Sequence, residues 1–202
     1  MSRMIRGRRI WLGLMALLCA AAVAAPAAGA HTRSFGATSL SLDPNAAAAL
    51  TSLGVTPGVI APATANADGS LSFPITDPLP VALATGQINH AGGISLTAGS
   101  AQVHLTDFNI NLRSRTLSAL VGGSRVRILS LDFSGAKIRF RDGQLKVGPV
   151  TAALTQAAAD ALNSAFGVTA FTKGLVLGSA TVGYRLWPLS YATYRASARH
   201  LH

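Results

Sequence analysis

Glutamate is absent from this sequence of 202 residues, so all 7 of its acidic residues are aspartates. The absence excludes the H-E-x-x-H zinc proteases, whose motif requires a glutamate, and sites that use a pair of glutamates. Cysteine is almost absent as well, because Cys19 is the only one. A single cysteine cannot form an intramolecular disulfide, so the fold must be stabilised by its apolar core.

The sequence also lacks an apolar run long enough to cross a membrane, because spanning a bilayer takes roughly 20 apolar residues. The run at residues 10–25 is shorter, follows an arginine-rich start and leads to the small residues Ala28, Gly29 and Ala30. This pattern predicts a signal peptide, residues 1–30, with cleavage after Ala30, and a transmembrane anchor is the alternative. We therefore expect a secreted or cell-envelope protein, exported by either the Sec or the twin-arginine route.

Apolar and polar residues alternate with a period of two from residue 71 to residue 154. Such alternation is typical of antiparallel strands with one face on a core. The pairs Gly122-Gly123 and Asp142-Gly143 predict tight hairpin turns, because these residues accept a positive φ. The sequence thus predicts a mainly β domain at residues 31–183, an antiparallel β-sandwich or partly open barrel of about 8–10 strands.

Two segments carry helix signals instead. Asp43 and Pro44 suit the start of one helix and Gly54 its end, while Thr155 and Gly167 bound a second helix. The first helix is followed by Leu-Gly-Val-Thr and the second by Phe-Gly-Val-Thr. We interpret the two short helices as parts of an internal repeat of strand, helix and strand, with chance likeness as the alternative. We expect them to close the two ends of the strand region.

The C-terminal segment, residues 184–202, differs from the rest in composition. It combines three tyrosines and a tryptophan with arginines and histidines. A disordered end or a final strand is the simpler interpretation of such a tail. Adhesion to an envelope surface is the functional one, because aromatic rings and cations both suit an interface.

Basic residues cluster in the middle of the chain. Four of the 17 lysines and arginines lie in the predicted signal peptide, and 8 of the remaining 13 lie between residues 113 and 146. Most alternate with apolar residues, which predicts a basic stripe on the outer face of the sheet that binds anionic polymer or lipid headgroups. A solvated face is the alternative, and nucleic acid is disfavoured because the stripe lacks aromatics. The residues are Arg113, Arg115, Arg125, Arg127, Lys137, Arg139, Arg141 and Lys146.

Candidate catalytic and metal-binding groups are few. His90 has the parity of Ile88 and is expected on the apolar face, whereas His104 is expected to point outward, so the two cannot share a metal. A histidine bonded to the backbone at a turn is the simpler interpretation of His90. Asp107 and Asp132 suit turns better than acid catalysis, and no G-x-S-x-G nucleophile turn occurs. We expect neither an enzyme nor a metal site.

Three segments resemble a known family. They are residues 71–75 (Leu-Ser-Phe-Pro-Ile), residues 86–96 (Gly-Gln-Ile-Asn-His-Ala-Gly-Gly-Ile-Ser-Leu) and residues 105–108 (Leu-Thr-Asp-Phe). They are similar to the strand, hairpin and following step of the HtaA-type haem-transport-associated domain of actinobacterial envelope proteins. The resemblance is closest to single-domain secreted forms and covers about residues 39–182.

The resemblance implies a β-sandwich with a few short helices. In haem-binding members it also implies haem held by a tyrosine that a histidine supports. His90 lies near the family's hairpin histidine and is the candidate haem contact. The tyrosine of those members lies in the first helical segment, and residues 44–53 contain none.

These observations together predict a non-enzymatic binding module, similar to HtaA-type domains, that acts at or outside the cell envelope on an unidentified ligand. One alternative is a haem-binding protein of haem uptake, with haem as the cofactor. The other is a structural or adhesive envelope protein that binds anionic polymer through the basic face. The oligomeric state stays open.

Overall fold

Strands dominate the part of the chain that the structure, a computed structural model, describes, which is residues 34–186. Twelve strands form one sheet, and three helices join them. The predicted mainly β fold is confirmed. The strands are β1 (Gly36–Leu42), β2 (Thr56–Ile60), β3 (Thr64–Ala65), β4 (Leu71–Ile75), β5 (Gln87–Asn89), β6 (Gly93–Ala98), β7 (Ala101–Asn111), β8 (Thr116–Val121), β9 (Ser124–Asp132), β10 (Lys137–Arg141), β11 (Gln144–Leu154) and β12 (Val176–Arg185); the helices are α1 (Pro44–Ser52), α2 (Leu79–Thr85) and α3 (Gln156–Phe166).

The sheet is antiparallel throughout and follows the order β2-β6-β7-β8-β9-β11-β12-β1-β4-β3. Two strands lie off this path. β5 pairs with β7 beyond the end of β6, and β10 pairs with the first part of β11. β9 pairs with the last part of β11, from Thr151 to Leu154, so β9 and β10 follow each other along the same side of one long strand.

The sheet curves until its two sides meet at His90. An isolated bridge joins His90 to Ile75 at the end of β4. Two backbone bonds flank it: the Thr76 amide donates to the Asn89 carbonyl at 2.9 Å, and the Ala91 amide donates to the Pro74 carbonyl at 3.0 Å. This seam nearly closes the sheet into a barrel, because the same segment also pairs with β7 through β5.

The barrel interior is filled mainly by one face of each strand. Phe73 and Phe108, from β4 and β7, meet edge to face with ring centroids 5.1 Å apart. Ile75 and Val150 are the largest side chains that are fully buried. The alternation of polar and apolar residues in the sequence therefore places the core, as expected of strands with one buried face.

The hairpin turns follow their predicted chemistry. Gly122 and Gly123 both have a positive φ, and so do Asp142 and Gly143. Turns of this kind match the right-handed twist of the strands that they join. They fix the register of the β8–β9 and β10–β11 hairpins, in which Val121 pairs with Ser124 and Arg141 with Gln144.

α1 and α3 begin where their caps predict. The Asp43 carboxylate accepts the amides of Asn45 and Ala46, and the Thr155 hydroxyl accepts the amide of Ala158. The expectation that these two helices close opposite ends of the strand region is wrong. β1 and β11 both run antiparallel to β12, and Leu42 and Ala152 both pair with Gly178, so both helices start from the same end.

α2 covers the opposite end and is the helix that the sequence did not predict. It follows β4, whose last residue is Ile75. Gly36 of β1 pairs with Ile75 on one side and with Tyr184 on the other, so β4 ends at the level of the end of β12. With seven residues it is too short to show a helical period, and its proline lies in the first turn, where a missing amide is tolerated.

The predicted C-terminal tail begins inside a strand, because Tyr184 and Arg185 belong to β12. Residues 187–202 of the predicted tail and the predicted signal peptide lie outside the described residues.

The seam gives a stability prediction at Gly92, which lies two residues after His90. Its φ is +84°, and an added Cβ would lie 2.5 Å from the Ala63 amide nitrogen and 2.8 Å from the Ile60 carbonyl oxygen. Gly92→Ala is therefore expected to lower the free energy of unfolding by about 3 kcal/mol in urea titrations. Gly69 has a similar φ of +79° with nothing within 4 Å, so Gly69→Ala should cost only about 1 kcal/mol. Equal losses in the two variants would contradict a close approach at the seam.

Candidate functional site

The barrel encloses a cavity of about 210 Å³ whose wall is almost entirely apolar. Leucine, isoleucine, valine, phenylalanine and alanine side chains from most strands line it, together with residues of α1 and α3. Thr38 of β1 and His90 are the polar residues of the lining. This chamber is the candidate functional site, because concave, mainly apolar spaces with a few convergent polar groups are where small ligands bind.

His90 is held inside the barrel by two hydrogen bonds. Its Nδ1 lies 3.3 Å from the Phe108 carbonyl oxygen, which can only accept, so Nδ1 carries the proton. Its Nε2 lies 2.7 Å from the Thr38 hydroxyl oxygen, and the hydroxyl therefore donates to Nε2. Both side chains are 5% exposed. The imidazole thus uses both ring nitrogens within the protein.

Burial lowers the pKa of His90 to about 4, against 6.5 for a free imidazole. Desolvation of the cation is the main cause, and it outweighs the backbone carbonyls of Phe108 and Ile88, which favour the charged form. The prediction that His90 lies on the apolar face, bonded to the backbone beside a turn, is confirmed. His104 is exposed on the opposite face, as predicted. A contact between His90 and haem stays a prediction.

The cavity reaches solvent beside α3. Three lining residues are exposed: Pro57 on β2, and Ala161 and Ala165 on α3. Alanine side chains are short, so the inward face of α3 leaves space between the helix and the strands beneath it. Ala158 of the same helix is buried and lines the chamber further in. These exposed positions make this side of α3 the candidate entrance to the chamber.

Tyr184 is a buried polar group that sequence reasoning missed. It is 4% exposed, and its hydroxyl has no hydrogen-bond partner among residues 34–186. Burial raises the pKa of its phenol to about 12, so the hydroxyl stays protonated. The alternation of Ala180, Val182 and Tyr184 is the signal that could have found it, because all three are buried on the same face of β12.

All eight residues of the predicted basic stripe are exposed, but the strands distribute them along the barrel. Four are gathered on the β10–β11 hairpin, where Arg139 pairs with Lys146. Arg125 and Arg127 lie at the start of β9 and pair with β8, away from the hairpin, and Arg125 donates to the Asp107 carbonyl at 2.9 Å. Their role as an anion-binding surface stays a prediction. The hairpin set is Lys137, Arg139, Arg141 and Lys146, and the turn between β7 and β8 holds Arg113 and Arg115.

Other polar groups of the described chain have structural roles. Asp132 accepts the amide and the hydroxyl of Ser134, and these bonds lower the pKa of its carboxyl. Within residues 34–186, no group of three or more histidine, cysteine or acidic side chains could hold a metal ion. None of the helices described there is both long enough and apolar enough to cross a membrane.

The pKa of His90 predicts a pH dependence of stability. The pKa of the His90 imidazole is depressed in the folded chain. The contribution of the neutral imidazole to the free energy of unfolding is therefore complete above pH 6.5 and is lost as the pH falls towards 4. We expect a loss of about 1 kcal/mol by pH 5.5 and about 3 kcal/mol near pH 4. Urea titrations at several pH values should show this slope in the wild type and His104→Gln, but not in His90→Gln. A wild-type curve parallel to that of His90→Gln would contradict the assignment.

Comparison with known proteins bears on the fold. No family model matches the sequence, and no curated protein matches it. The C-terminal domain of HtaA from Corynebacterium glutamicum is similar in structure, with a TM-score of 0.51 and 15% identity over 75% of this chain and 96% of that one. The heme binding protein HtaB from Corynebacterium glutamicum gives a TM-score of 0.49 and 11% identity over 73% and 91% of the two chains. The chain therefore has an HtaA-type fold, as its sequence motifs predicted.

Proposed function

We propose that the mature chain is a non-enzymatic binding module, acting at or outside the cell envelope, that holds an apolar ligand inside its barrel. The observation that carries this proposal is the chamber of about 210 Å³ with its almost wholly apolar wall. The HtaA-type fold is compatible with such a role, and the predicted signal peptide would place the protein outside the cytoplasm.

The size of the chamber argues for an occupant. Protein interiors are close-packed, and few of their voids exceed a water molecule. At roughly 24 cal/mol for each Å³, an empty cavity of about 210 Å³ costs about 5 kcal/mol. Water does not offset this cost, because a site needs several polar partners to hold water and even an apolar cavity of about 150 Å³ stays dry and binds benzene. An apolar molecule that enters beside α3 would recover the lost contacts.

The polar groups in the wall support binding rather than catalysis. Thr38 and His90 satisfy each other, and the second ring nitrogen of His90 is bound to a backbone carbonyl. A nucleophile or general base needs a partner positioned on the reacting atoms. These two side chains close the seam instead, and leave the ligand an apolar surface.

Haem is the second candidate ligand, favoured by the sequence resemblance to the haem-transport-associated domain. The described interior does not fit it as it stands. α1 contains no tyrosine, and His90 has no free ring nitrogen. The chamber is also below the range of roughly 300–1,000 Å³ that is typical of small-molecule pockets. We therefore place a smaller apolar ligand first.

Binding of N-phenylnaphthylamine, an apolar fluorescent probe, tests the proposal. The wild type is expected to bind it saturably. Ala161→Phe would fill the entrance and lower the affinity about tenfold, which corresponds to about 1.4 kcal/mol. Ala157→Phe is the matched control, because Ala157 is exposed on the same helix but does not line the chamber. Equal binding by both variants would contradict entry beside α3, and no saturable binding by the wild type would contradict the proposal itself.

A haemin titration of residues 31–202, followed by absorbance, decides between the two ligands. The proposal predicts no Soret shift beyond that of an unrelated basic protein, because the interior offers no axial ligand. His90→Ala serves as the second sample, with its thermal melt recorded to show that it folds. A saturable shift in the wild type that weakens in His90→Ala would overturn the order of the two candidates and make haem the ligand.

A further inference from the structure

Exposed apolar side chains are concentrated at one end of the barrel. Within residues 34–186, six large hydrophobic residues are exposed, and four of them belong to α2 and β10. Val81 and Leu83 on α2 are 45% and 67% exposed, and Ile138 and Phe140 on β10 are 76% and 67% exposed. Large apolar side chains left exposed at one end of a protein commonly mark an interaction site. We call these four residues the apolar end.

The strand register places α2 and the β10–β11 turn at the same end. Gly36 pairs with both Ile75 and Tyr184, so the chain enters α2 at the level where β12 finishes. Gln144, the first residue after the β10–β11 turn, pairs with Arg185, the last residue of β12. α1 and α3, and with them the entrance to the chamber, lie at the other end of β12.

β10 itself is poorly covered by the rest of the protein. It pairs with β11 alone, and all five of its residues are exposed. Ile138 and Phe140 pair with Val147 and Leu145, so they extend the apolar face of β11 outward beyond the barrel. An uncovered edge strand with large apolar residues invites association, and natural proteins seldom keep one without a partner.

Cations occupy the other face of β10. Lys137, Arg139 and Arg141 alternate with Ile138 and Phe140 along the strand, so they lie on its opposite face, where Arg139 pairs with Lys146. Arg185 adds a further cation beside Gln144. The acidic residue of the turn, Asp142, lies 3.5 Å from Arg141, and both are highly exposed, so it offsets little of this charge. The combination is complementary to an anionic surface.

The chain also leaves the described barrel at this end. The Leu186 amide donates to the Gly143 carbonyl at 2.8 Å, in the β10–β11 turn. The 16 residues that follow include one tryptophan, two tyrosines and two arginines, a composition typical of membrane interfaces. Their attachment point is therefore beside β10.

We propose that the apolar end, with the cations of the β10–β11 hairpin, is a docking face for an anionic lipid bilayer. Ile138 and Phe140 would enter the boundary between headgroups and acyl chains, while the cations meet the headgroups. A hydrated anionic polymer would match the cations but would leave the two apolar residues in water, which is why a bilayer is the better occupant. Docking in this way would leave the chamber entrance directed away from the membrane.

Vesicle sedimentation of residues 31–202, the predicted mature chain, tests this docking face. Vesicles of mixed phosphatidylglycerol and phosphatidylcholine should bind the protein, and vesicles of phosphatidylcholine alone should bind it much less. Ile138→Ser/Phe140→Ser is expected to lower partitioning by about tenfold or more. Lys137→Gln/Arg139→Gln should lower it by about fivefold for each cation removed.

Two matched controls come from the other end of the barrel. Val176 is 40% exposed at the start of β12, and Arg127 is exposed on β9, so Val176→Ser and Arg127→Gln should bind like the wild type. All of these positions are exposed, so thermal melts should be unchanged. Undiminished binding by Ile138→Ser/Phe140→Ser would overturn the proposal. A second pair of results would overturn it as well: full displacement of the protein from the vesicles by soluble polyphosphate, together with a loss of binding in Arg127→Gln as large as in the hairpin variants. Charge alone would then explain the binding.

Discussion

The hydrogen bond between Thr38 and His90 is the interaction on which the rest of the structure depends. It ties β1 to the segment that joins β4 to β7, so it lies where the sheet closes on itself. Closure requires the His90 side chain to be inside, and an imidazole inside an apolar chamber must be neutral. The two ring bonds satisfy it in that state. A charged histidine here would need water, and water would end the apolar character of the chamber.

Closure also makes the two ends of the barrel chemically different. β1 and β11 lead into α1 and α3 at one end because both run antiparallel to β12, whereas β4 leads into α2 at the other. The first end holds the alanines that leave an opening into the chamber. The second holds the exposed apolar residues and the hairpin cations. The topology thus places the candidate entrance of the chamber and the proposed docking face at opposite ends of the barrel.

Local signals in the sequence predicted the local parts of this fold. The caps at Asp43 and Thr155 depend on residues within three positions, and the Gly122-Gly123 turn depends on its own φ values. Parity placed His90 inside and His104 outside because a strand alternates its side chains whatever its neighbours are. The same approach missed α2, which is shorter than the window a helical period needs, and it assigned Tyr184 to the tail because aromatic composition obscured the alternation of β12.

Local signals could not predict the candidate site, because the site is an empty space between residues that are far apart in the sequence. The partner of His90 is 52 positions away, and nothing near either residue indicates that they meet. The chamber is a deficit of side-chain volume beneath α3, and its alanines look in sequence like ordinary helix formers. The basic stripe shows the same limit: alternation predicted that each residue is exposed, but the separate pairing of β9 and β10 along β11 decides which ones are neighbours. The four cations of the hairpin lie on the same two strands as the exposed Ile138 and Phe140, and that combination, rather than the charge alone, gives the surface a specific chemistry.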